Sequence, residues 1–345
     1  MFKSIRDFDV EGKRVLVRCD FDVPIANGII LDDFRIKESL STITYLLDNK
    51  AKVILMGHMA RPNGSVVESL RLTPIQKKLE EYLGVQVKKA SDCIGEEVEN
   101  LVNAMEVGQV LLLENLRFHK EEMSNSPEFA QALAKLGDLY VNNAFANSHR
   151  NHASMTTICK YLPSAAGLTL QKEIEMLEKI MQNPVRPLVA IIGGAKIETK
   201  VKFIEEFSEI ADFVIVGGLI EKEILEKNIK FTFREKIIAP ASNLDALDID
   251  DVTIKQFREK ILVAKTIFWN GPFGKFEDEE HKKGSLAIAR AIVESGAFSV
   301  AGGDETVEFL EREKLVSQFS YVCTGGGSML AYLAGDILPG LKALE

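Results

Sequence analysis

Short apolar runs alternate with amphipathic segments along the whole chain, and this alternation restricts the fold more than any other feature. The predicted strands are residues 14–19, 52–56, 109–113, 139–142, 188–192, 213–216, 266–269, 298–301 and 319–323. The predicted helices between them include 75–83, 97–105, 129–136, 197–210 and 286–295. The strands are apolar at nearly every position, which is typical of strands that helices cover on both faces. The pattern therefore predicts an α/β fold built on parallel sheets.

The length of the chain favours two domains, because 345 residues exceed what one hydrophobic core usually organises. We predict two doubly wound, Rossmann-like domains, which comprise residues 1–165 with 336–345 and residues 166–335. A charged helix at 170–181, with no predicted strand before it, would join the two domains. The final segment, 336–345, contains Pro339-Gly340 and is too short to form a strand–helix unit.

The composition excludes several classes of partner. A net charge of −9 disfavours nucleic acid as the main ligand. No apolar stretch is long enough to span a membrane, and the N-terminus lacks the apolar centre of a signal peptide. The four cysteines have no metal-like spacing, so we expect reduced thiols in the cytoplasm. We also expect a monomer, because the sequence shows no long exposed apolar helix or edge strand.

Cationic and titratable side chains follow several predicted strands of the first half. They are Arg35, His58, Arg61, Arg117, His119, His149, Arg150 and His152. Ligands of open parallel sheets bind at the carboxyl ends of the strands, and arginine matches carboxylate and phosphate oxygens well. The cluster therefore predicts a small ligand with more than one negative charge. Taken singly, Arg35 fits an ion pair with its acidic neighbours, and Asp20 and Asp22 fit an ordinary turn.

Glycines occur where strands give way to helices in the second half. They are Gly193-Gly194, Gly217-Gly218, Gly271, Gly274, Gly302-Gly303 and Gly325-Gly326-Gly327. Glycine lets a ligand approach the backbone, and a helix N-terminus presents free N–H groups to phosphates. Neither a P-loop nor a dinucleotide-binding glycine motif is present. The repeated placement indicates a phosphate-binding edge of an unusual kind.

Charged residues accompany two of these glycine turns. Lys196 and Lys200 are four residues apart, which suits neutralisation of a transferring phosphoryl group or, alternatively, an ordinary solvated helix face. Asp304 follows Gly302-Gly303, where it fits an Mg²⁺ ligand, a helix N-cap, or both.

The sequence resembles the phosphoglycerate kinase family over nearly its whole length. The matching segments are 14–24, 32–36, 52–62, 110–119, 140–154, 162–167, 193–200, 268–277, 302–304, 324–327 and 338–340. The resemblance implies two domains with hinge-bending closure, the first binding the glycerate substrate and the second Mg-ATP or Mg-ADP. It implies reversible phosphoryl transfer between 1,3-bisphosphoglycerate and ADP, which gives 3-phosphoglycerate and ATP.

The resemblance also implies a role for individual residues. Those expected to bind the glycerate substrate and its phosphate are Asp20, Phe21, Asp22, Arg35, His58, Met59, Ala60, Arg61, Arg117 and Arg150. Those expected to bind nucleotide are Gly194, Lys200, Gly217, Gly218, Asn270, Glu277, Gly302, Gly303, Asp304 and Glu305, with Asp304 also holding Mg²⁺. Arg35, Lys196 and Lys200 would act on the transferring phosphoryl group.

Several positions depart from the family pattern. In the first half, Asp22 stands where Asn is usual, and Gly57, Met59 and Ala60 replace Ser, Leu and Gly. In the second half, the chain is short at about 225–250. The other changes there are Leu219 in place of Gly, the additional acids Glu221 and Glu223, Asp250-Asp251 in place of Gly-Pro, and Glu305 in place of Thr or Ser.

Glu305 has three interpretations. It repels a nucleotide phosphate, it turns outward and interacts with the helix dipole, or it becomes a second Mg²⁺ ligand. Two functions follow from these alternatives. The first is an active phosphoglycerate kinase, and the second is a weakened or inactive relative that binds anions or acts as a scaffold.

Overall fold

The computed structural model describes residues 2–194 and 200–345 and contains two compact units. Unit 1 comprises the chain up to Glu173 together with Ile337–Glu345, and unit 2 comprises Ile174–Asp336. Each unit has its own parallel sheet with helices packed against it. Within the described residues, no helix is both long and apolar enough to cross a bilayer.

Unit 1 is built on a six-stranded parallel sheet with the strand order β5-β6-β4-β1-β7-β8. Its strands, with the small antiparallel pair β2–β3, are β1 (Arg14–Arg18), β2 (Ile25–Ala26), β3 (Ile29–Ile30), β4 (Lys52–Met56), β5 (Val87–Lys89), β6 (Val110–Leu112), β7 (Leu139–Asn142) and β8 (Ser164–Ala166). The first strand lies inside the sheet, and later strands are added on both sides of it. This is the doubly wound arrangement that the sequence predicts.

The helices of unit 1 are α1 (Phe34–Asp48), α2 (Thr73–Leu83), α3 (Glu96–Asn103), α4 (Lys120–Met123) and α5 (Pro127–Ala134). Helix α6 (Leu168–Met181) begins in unit 1 and ends in unit 2. Local sequence explains where α5 begins, because the Ser126 hydroxyl accepts a hydrogen bond from the Phe129 N–H and Pro127 occupies the first helical position. The hydrophobic core lies around β1 and β4, where Val15, Val17, Val53 and Leu55 are fully buried.

Unit 2 repeats the architecture with the strand order β11-β10-β9-β12-β13-β14, and all neighbouring strands are parallel. The strands are β9 (Leu188–Ile192), β10 (Phe213–Val216), β11 (Ile237–Ile238), β12 (Thr266–Asn270), β13 (Phe298–Gly302) and β14 (Tyr321–Cys323). The helices are α7 (Val201–Ile210), α8 (Gly218–Glu226), α9 (Asp251–Ile261), α10 (Lys283–Ser295), α11 (Asp304–Arg312) and α12 (Gly327–Leu333). A last short helix, α13 (Pro339–Lys342), belongs to unit 1.

Aromatic packing forms the centre of unit 2. The rings of Phe203 and Phe207 on α7 lie 5.3 and 5.5 Å from the ring of Phe268 on β12. Buried aromatic rings contribute large apolar areas and pack in tilted arrangements of this kind. These two aromatic side chains on one face of α7 therefore hold the helix against the sheet.

The predicted strands are present, with ends that differ by one or two residues. One prediction is wrong, because β8 directly precedes α6, where the sequence predicts no strand. Its residues are Ser164, Ala165 and Ala166, which form too short and too weakly apolar a run to be recognised. The predicted beginning of a helix at residue 197 lies outside the described residues.

Candidate active site

The first of two candidate binding regions lies at the carboxyl ends of β1, β4, β6 and β7 in unit 1. Arg35, in the first turn of α1, is held there by the segment that follows β1. Its Nη1 lies 3.2 Å from Asp20 Oδ2 and donates to the Asp22 carbonyl at 3.0 Å. The simpler sequence interpretation of Arg35 was an ion pair with the acidic residues adjacent to it in the chain, and the ion pair described here is with Asp20. It also orients the guanidinium at the edge of the sheet where a ligand would bind.

His58 lies between a buried arginine and a carboxylate. Arg18 Nη2 is 3.0 Å from His58 Nδ1, and His58 Nε2 is 3.4 Å from Asp22 Oδ2. Because a guanidinium can only donate, Nδ1 must accept, and Nε2 therefore carries the proton that points to Asp22. Arg18 thus determines the tautomer of His58.

Burial and charge determine the protonation of this pair. Burial lowers the pKa of His58 to about 4, and the nearby Arg18 and Arg117 act in the same direction, against the contribution of Asp22. Burial by itself would raise the pKa of Asp22. Hydrogen bonds from His58 and from the Ala60 N–H, together with the charge of Arg35, instead hold the pKa of Asp22 below its usual range. Near neutral pH the pair is a neutral imidazole donating to an ionised carboxylate.

Ala60 connects Asp22 to Arg117 through its backbone. Its N–H donates to Asp22 Oδ1 at 2.8 Å, and its carbonyl accepts from Arg117 Nη1 at 2.7 Å. The backbone of Ala60 has a φ of +53°, a conformation that favours glycine. Both hydrogen bonds hold the residue in this conformation, which the family's usual glycine adopts without strain.

Arg117 and Arg150 present buried donors that the protein itself leaves unsatisfied. Arg117 Nε, Arg117 Nη2 and Arg150 Nε are buried and have no hydrogen-bond partner among the described residues. Burial lowers the pKa of Arg117 to about 10, and the charges of Arg150 and Arg18 add to this effect. Buried donors are nearly always paired in native proteins. A group of unpaired, like-charged donors therefore indicates a site for an anion.

Other predicted residues of unit 1 are placed differently. Phe21 and Met59 are buried in the hydrophobic core, so their side chains do not line the site. Arg61 is exposed in the loop after Ala60. The Phe21 ring also explains Gly57, because a methyl group added there would lie 2.6 Å from Phe21 Cδ2.

Of the three histidines that sequence analysis placed in the cationic cluster, His119 has a separate partner. Its Nε2 lies 2.7 Å from Asp92 Oδ1, and the Cys93 thiol is close to both groups. His152 lies nearer the arginines, with its Nδ1 at 3.8 Å from the buried Glu122. The histidines following β7 are therefore neighbours of the site, whereas His119 is engaged by the loop after β5.

Arg18 is the residue that sequence reasoning missed. It is almost completely buried, and its Nε donates to Ser154 Oγ at 3.0 Å. The available signal was an arginine at the end of an otherwise apolar strand, followed by Cys19 and Asp20. Such a residue is rarely buried without a specific task.

The second candidate region lies at the carboxyl ends of β9, β10, β12 and β13 in unit 2. Two of its turns approach each other so closely that no side chain fits between them. A methyl group at Gly193 would lie 2.3 Å from the carbonyl oxygens of Gly271 and Pro272. The neighbouring Asn270 is buried and donates from Nδ2 to the Gly302 carbonyl at 2.7 Å. These contacts align the ends of β9, β12 and β13.

Lys200 and Glu305 extend towards the same point beside Gly194. A methyl group added at Gly194 would lie 2.8 Å from Lys200 Nζ and 3.5 Å from Glu305 Oε2. Lys200 is buried and donates to the Gly193 carbonyl. Burial lowers the pKa of Lys200 to about 8, and the negative charge of Glu305 opposes this shift. Glu305 is exposed in the first turn of α11, and its carboxylate lies on the side of Gly194 and Lys200.

A cavity of about 310 Å³ opens next to this point. It gathers several predicted nucleotide residues, namely Gly194, Gly217, Gly218, Glu277 and Glu305. Asn270, Gly302 and Gly303 lie at the adjoining strand ends, and Asp304 begins α11. The predicted Lys196 lies outside the described residues. The site combines glycine turns, a helix N-terminus and a buried lysine, which is suited to phosphate groups.

Comparison with known proteins agrees with this geometry. A sequence model described as phosphoglycerate kinase matches residues 5–230 and 226–336. A phosphoglycerate kinase of Dictyoglomus turgidum is 42% identical over 388 aligned residues, which cover 99% of this chain and 98% of the relative. A phosphoglycerate kinase of Moorella thermoacetica is 40% identical, again over 99% of this chain and 98% of the relative.

The chain belongs to the phosphoglycerate kinase family. Solved structures show the same fold. The crystal structure of the Pyrococcus horikoshii phosphoglycerate kinase has a TM-score of 0.89 at 30% identity, and covers 100% of this chain and 98% of its own. The Coxiella burnetii phosphoglycerate kinase has a TM-score of 0.84 at 32% identity, with coverages of 100% and 99%.

The shortening relative to phosphoglycerate kinases at about 225–250 stays a prediction. The two matches to the family's sequence model meet at residues 226–230, within this segment. In the structure it contains the end of α8, the two-residue edge strand β11 and an irregular stretch before α9. The irregular stretch contributes Pro240, Asn243 and Leu247 to the wall of the cavity.

Most additional acids of unit 2 have partners within the protein. Asp250 is the N-cap of α9 and accepts from the Thr253 N–H at 2.8 Å. Glu221 pairs with Arg234 at 2.5 Å, and Glu223 pairs with Lys227 at 2.9 Å. These acids are explained by local structure. Glu305 differs from them, because its carboxylate extends into the region expected to bind phosphate.

Proposed function

We propose that this chain is a working phosphoglycerate kinase, which transfers the acyl phosphate of 1,3-bisphosphoglycerate to ADP and catalyses the reverse reaction. The observation that carries this proposal is the group of buried, unpartnered N–H donors of Arg117 and Arg150, in a chain of this family. Such donors need an anion, and a phosphorylated glycerate supplies one.

In unit 1, we assign the glycerate and its phosphate to the site at the ends of β1, β4, β6 and β7. Arg35, Arg117 and Arg150 would bind the anionic oxygens, with Arg61 joining from the exposed loop. Asp20 and Asp22 orient Arg35, and His58 is held neutral by Arg18 and burial. Phe21, Met59 and Ala60 would contribute through their backbone and packing.

In unit 2, we assign the nucleotide to the cavity beside Gly194. Gly217 and Gly218 begin α8, Glu277 would accept from the ribose hydroxyls, and Asn270, Gly302 and Gly303 shape the phosphate end. Magnesium prefers oxygen ligands and is commonly held by one or two carboxylates with substrate phosphates. Asp304 and Glu305 fit this donor set. Bound Mg²⁺ would neutralise negative charge on the nucleotide phosphates.

Phosphoryl transfer asks for positioned reactants and neutralised charge rather than a nucleophilic side chain. Arg35 from unit 1 and Lys200 from unit 2 supply that charge, and Lys196 has the same proposed role. The acyl phosphate carries a good leaving group, a carboxylate, so the chain does not need to protonate it. Hinge closure, which the family resemblance implies, stays a prediction.

We also propose a cytoplasmic monomer that binds neither nucleic acid nor membrane. Within the described residues none of the four cysteines forms a disulfide, and three of them are buried, which suits a reducing compartment. The net charge of −9 supports the absence of a nucleic-acid partner.

The test combines calorimetry with a coupled assay of turnover. We expect 3-phosphoglycerate and MgADP each to bind, and ATP with 3-phosphoglycerate to be converted. Replacement of Arg35 by Ala should lower kcat/KM by about 10³-fold, because a cation at the transferring phosphoryl group is lost. Arg35→Lys should recover only part of this loss. Arg6→Ala, which removes an exposed arginine lying over Tyr45, is the matched control.

Two outcomes would contradict the proposal. If 3-phosphoglycerate binds but MgADP and MgATP do not, the chain is an anion-binding or scaffolding relative. If both ligands bind and no turnover occurs with either nucleotide, the retained residues do not support catalysis.

A further inference from the structure

Glu305 lies at the side of the cavity in unit 2, close to Gly194 and Lys200. It stands in the first turn of α11, and its Oε2 lies 3.5 Å from the space above Gly194 that Lys200 Nζ also approaches. Lys200 is therefore a buried cation with a carboxylate already beside it. Electrostatic attraction between them raises the pKa of Lys200 against the effect of burial.

A phosphate that arrives without a cation meets both charges. Lys200 attracts it and Glu305 repels it, so the two charges oppose each other. The exposed carboxylate of Glu305 faces the cavity. A rotation of the Glu305 side chain away from the cavity would leave Lys200 without this nearby negative charge. Free nucleotide thus gains little from this part of the site.

A phosphate that arrives with a divalent cation meets a different balance. The cation reduces the negative charge of the phosphate, and a carboxylate oxygen is one of the ligands that Mg²⁺ accepts. The same Glu305 that repels the free phosphate then becomes favourable or neutral. Glu305 therefore interacts differently with the metal-free form and the metal-bound form of the same nucleotide.

We propose that Glu305 makes the nucleotide site selective for the metal complex of a nucleoside diphosphate over the metal-free form. This inference rests on the proposed function and concerns the same site. Glu305 is a specificity-determining residue here, because its position beside Gly194 and Lys200 places a negative charge where the phosphates bind.

The experiment is calorimetric titration of ADP, once with excess Mg²⁺ and once with EDTA, into the wild-type chain and Glu305→Gln. The variant removes the charge and keeps the shape. We expect it to bind metal-free ADP at least about tenfold more tightly than the wild type does. Its affinity for MgADP should change by less than about threefold or fall. The readout is a binding isotherm and does not depend on turnover.

Glu308→Gln is the matched control, because it removes the same charge from the same helix at a position where Glu308 pairs with Arg312. It should leave both affinities unchanged. Equal changes in the two affinities on replacing Glu305, or no change in either, would overturn the inference while leaving the proposed function intact. Absence of MgADP binding by both the wild type and Glu305→Gln would contradict the proposed function as well.

Discussion

Asp22 in unit 1 and Glu305 in unit 2 are the same kind of change in two different surroundings. Each places a carboxylate in a region that we propose to bind anions, at a position where the family resemblance implies an uncharged polar residue. Asp22 receives hydrogen bonds from His58 and from the Ala60 N–H, and its backbone carbonyl accepts from Arg35. Glu305 is exposed in the first turn of α11 and faces one buried lysine.

The difference shows that donors around an added carboxylate decide its effect on a ligand. The pKa of Asp22 is lowered although burial opposes this, so its surroundings already compensate its charge. Asp22 connects His58 to Ala60 through the hydrogen bonds that its carboxylate accepts. Glu305 keeps its charge available to an incoming phosphate, and this makes unit 2 the more altered site.

Among the variants that test this comparison, Arg117→Ala should have the largest effect on ligand binding. Two buried donors that await an anion are lost, and each hydrogen bond to a charged group contributes about 1.5–3 kcal/mol. We expect 3-phosphoglycerate to bind about 100-fold more weakly, measured by calorimetry. The melting temperature without ligand should change little, since relief of the repulsion from Arg18 and Arg150 offsets the lost hydrogen bond to the Ala60 carbonyl.

A fall in melting temperature of the ligand-free Arg117→Ala variant, with unchanged affinity, would mean that Arg117 is structural. The control is Arg14→Ala, which removes an arginine that pairs with Asp138 at the opposite end of β1. That variant should not alter the affinity for 3-phosphoglycerate.

Replacement of Asp22 by Asn tests whether Asp22 and Glu305 differ in their effect on anion binding. We expect the affinity for 3-phosphoglycerate to rise by about threefold, and by no more than about tenfold, because the charge removed is already compensated. Stability should fall by about 1 kcal/mol, since His58 and Ala60 lose a charged acceptor. Chemical unfolding and calorimetry measure the two effects. A larger gain in anion affinity from Asp22→Asn than from Glu305→Gln would reverse the comparison.

The pH dependence of unit 1 without ligand bears least directly on the comparison. Burial lowers the pKa of His58 to about 4 and that of His152 to about 3, so both are neutral in the folded chain at pH 5. The unfolded chain takes up protons at both residues below about pH 6.5. The free energy of unfolding should therefore fall as pH decreases from 6.5 to 4, by up to about 1.4 kcal/mol per pH unit and proton.

Thermal unfolding between pH 4 and 7.5 checks this, with His152→Gln expected to flatten the dependence. His281→Gln, at a surface pair with Asp278, is the control. Asp92 raises the pKa of His119, so that residue contributes stability which is present at low pH and lost as pH rises above its ordinary pKa. An unchanged slope in His152→Gln would contradict the assignment of a buried, neutral imidazole.

Much of the fold could be predicted from sequence, and the reason is local. Strands such as β4 and β9 are long, continuous apolar runs, and their burial on both faces leaves that pattern in the sequence. The strands β5, β8 and β11 contain two or three residues each and leave no such pattern. Their formation depends on pairing with neighbours already in place.

The candidate sites were predictable to the same extent. In unit 1, Arg117 follows the apolar strand β6, and the carboxyl ends of parallel strands meet at one edge, so the sequence indicates that Arg117 lies near the residues that follow β1. The burial of Phe21 and Met59 was not predicted, because both stand next to polar residues in their turns. The contact of Arg18 with His58 joins the end of β1 to the loop after β4 and has no local signal.

Periodicity and chain order were sufficient to predict the parallel α/β architecture and the charged residues at strand ends, and the ordered motifs indicated the family. The tautomer of His58, the compensation of Asp22 and the position of Glu305 beside Gly194 follow from the tertiary structure alone. Those properties depend on distances between groups that are far apart along the chain, such as Lys200 and Glu305. Electrostatic interactions change steeply with distance and burial, so composition and spacing cannot specify them.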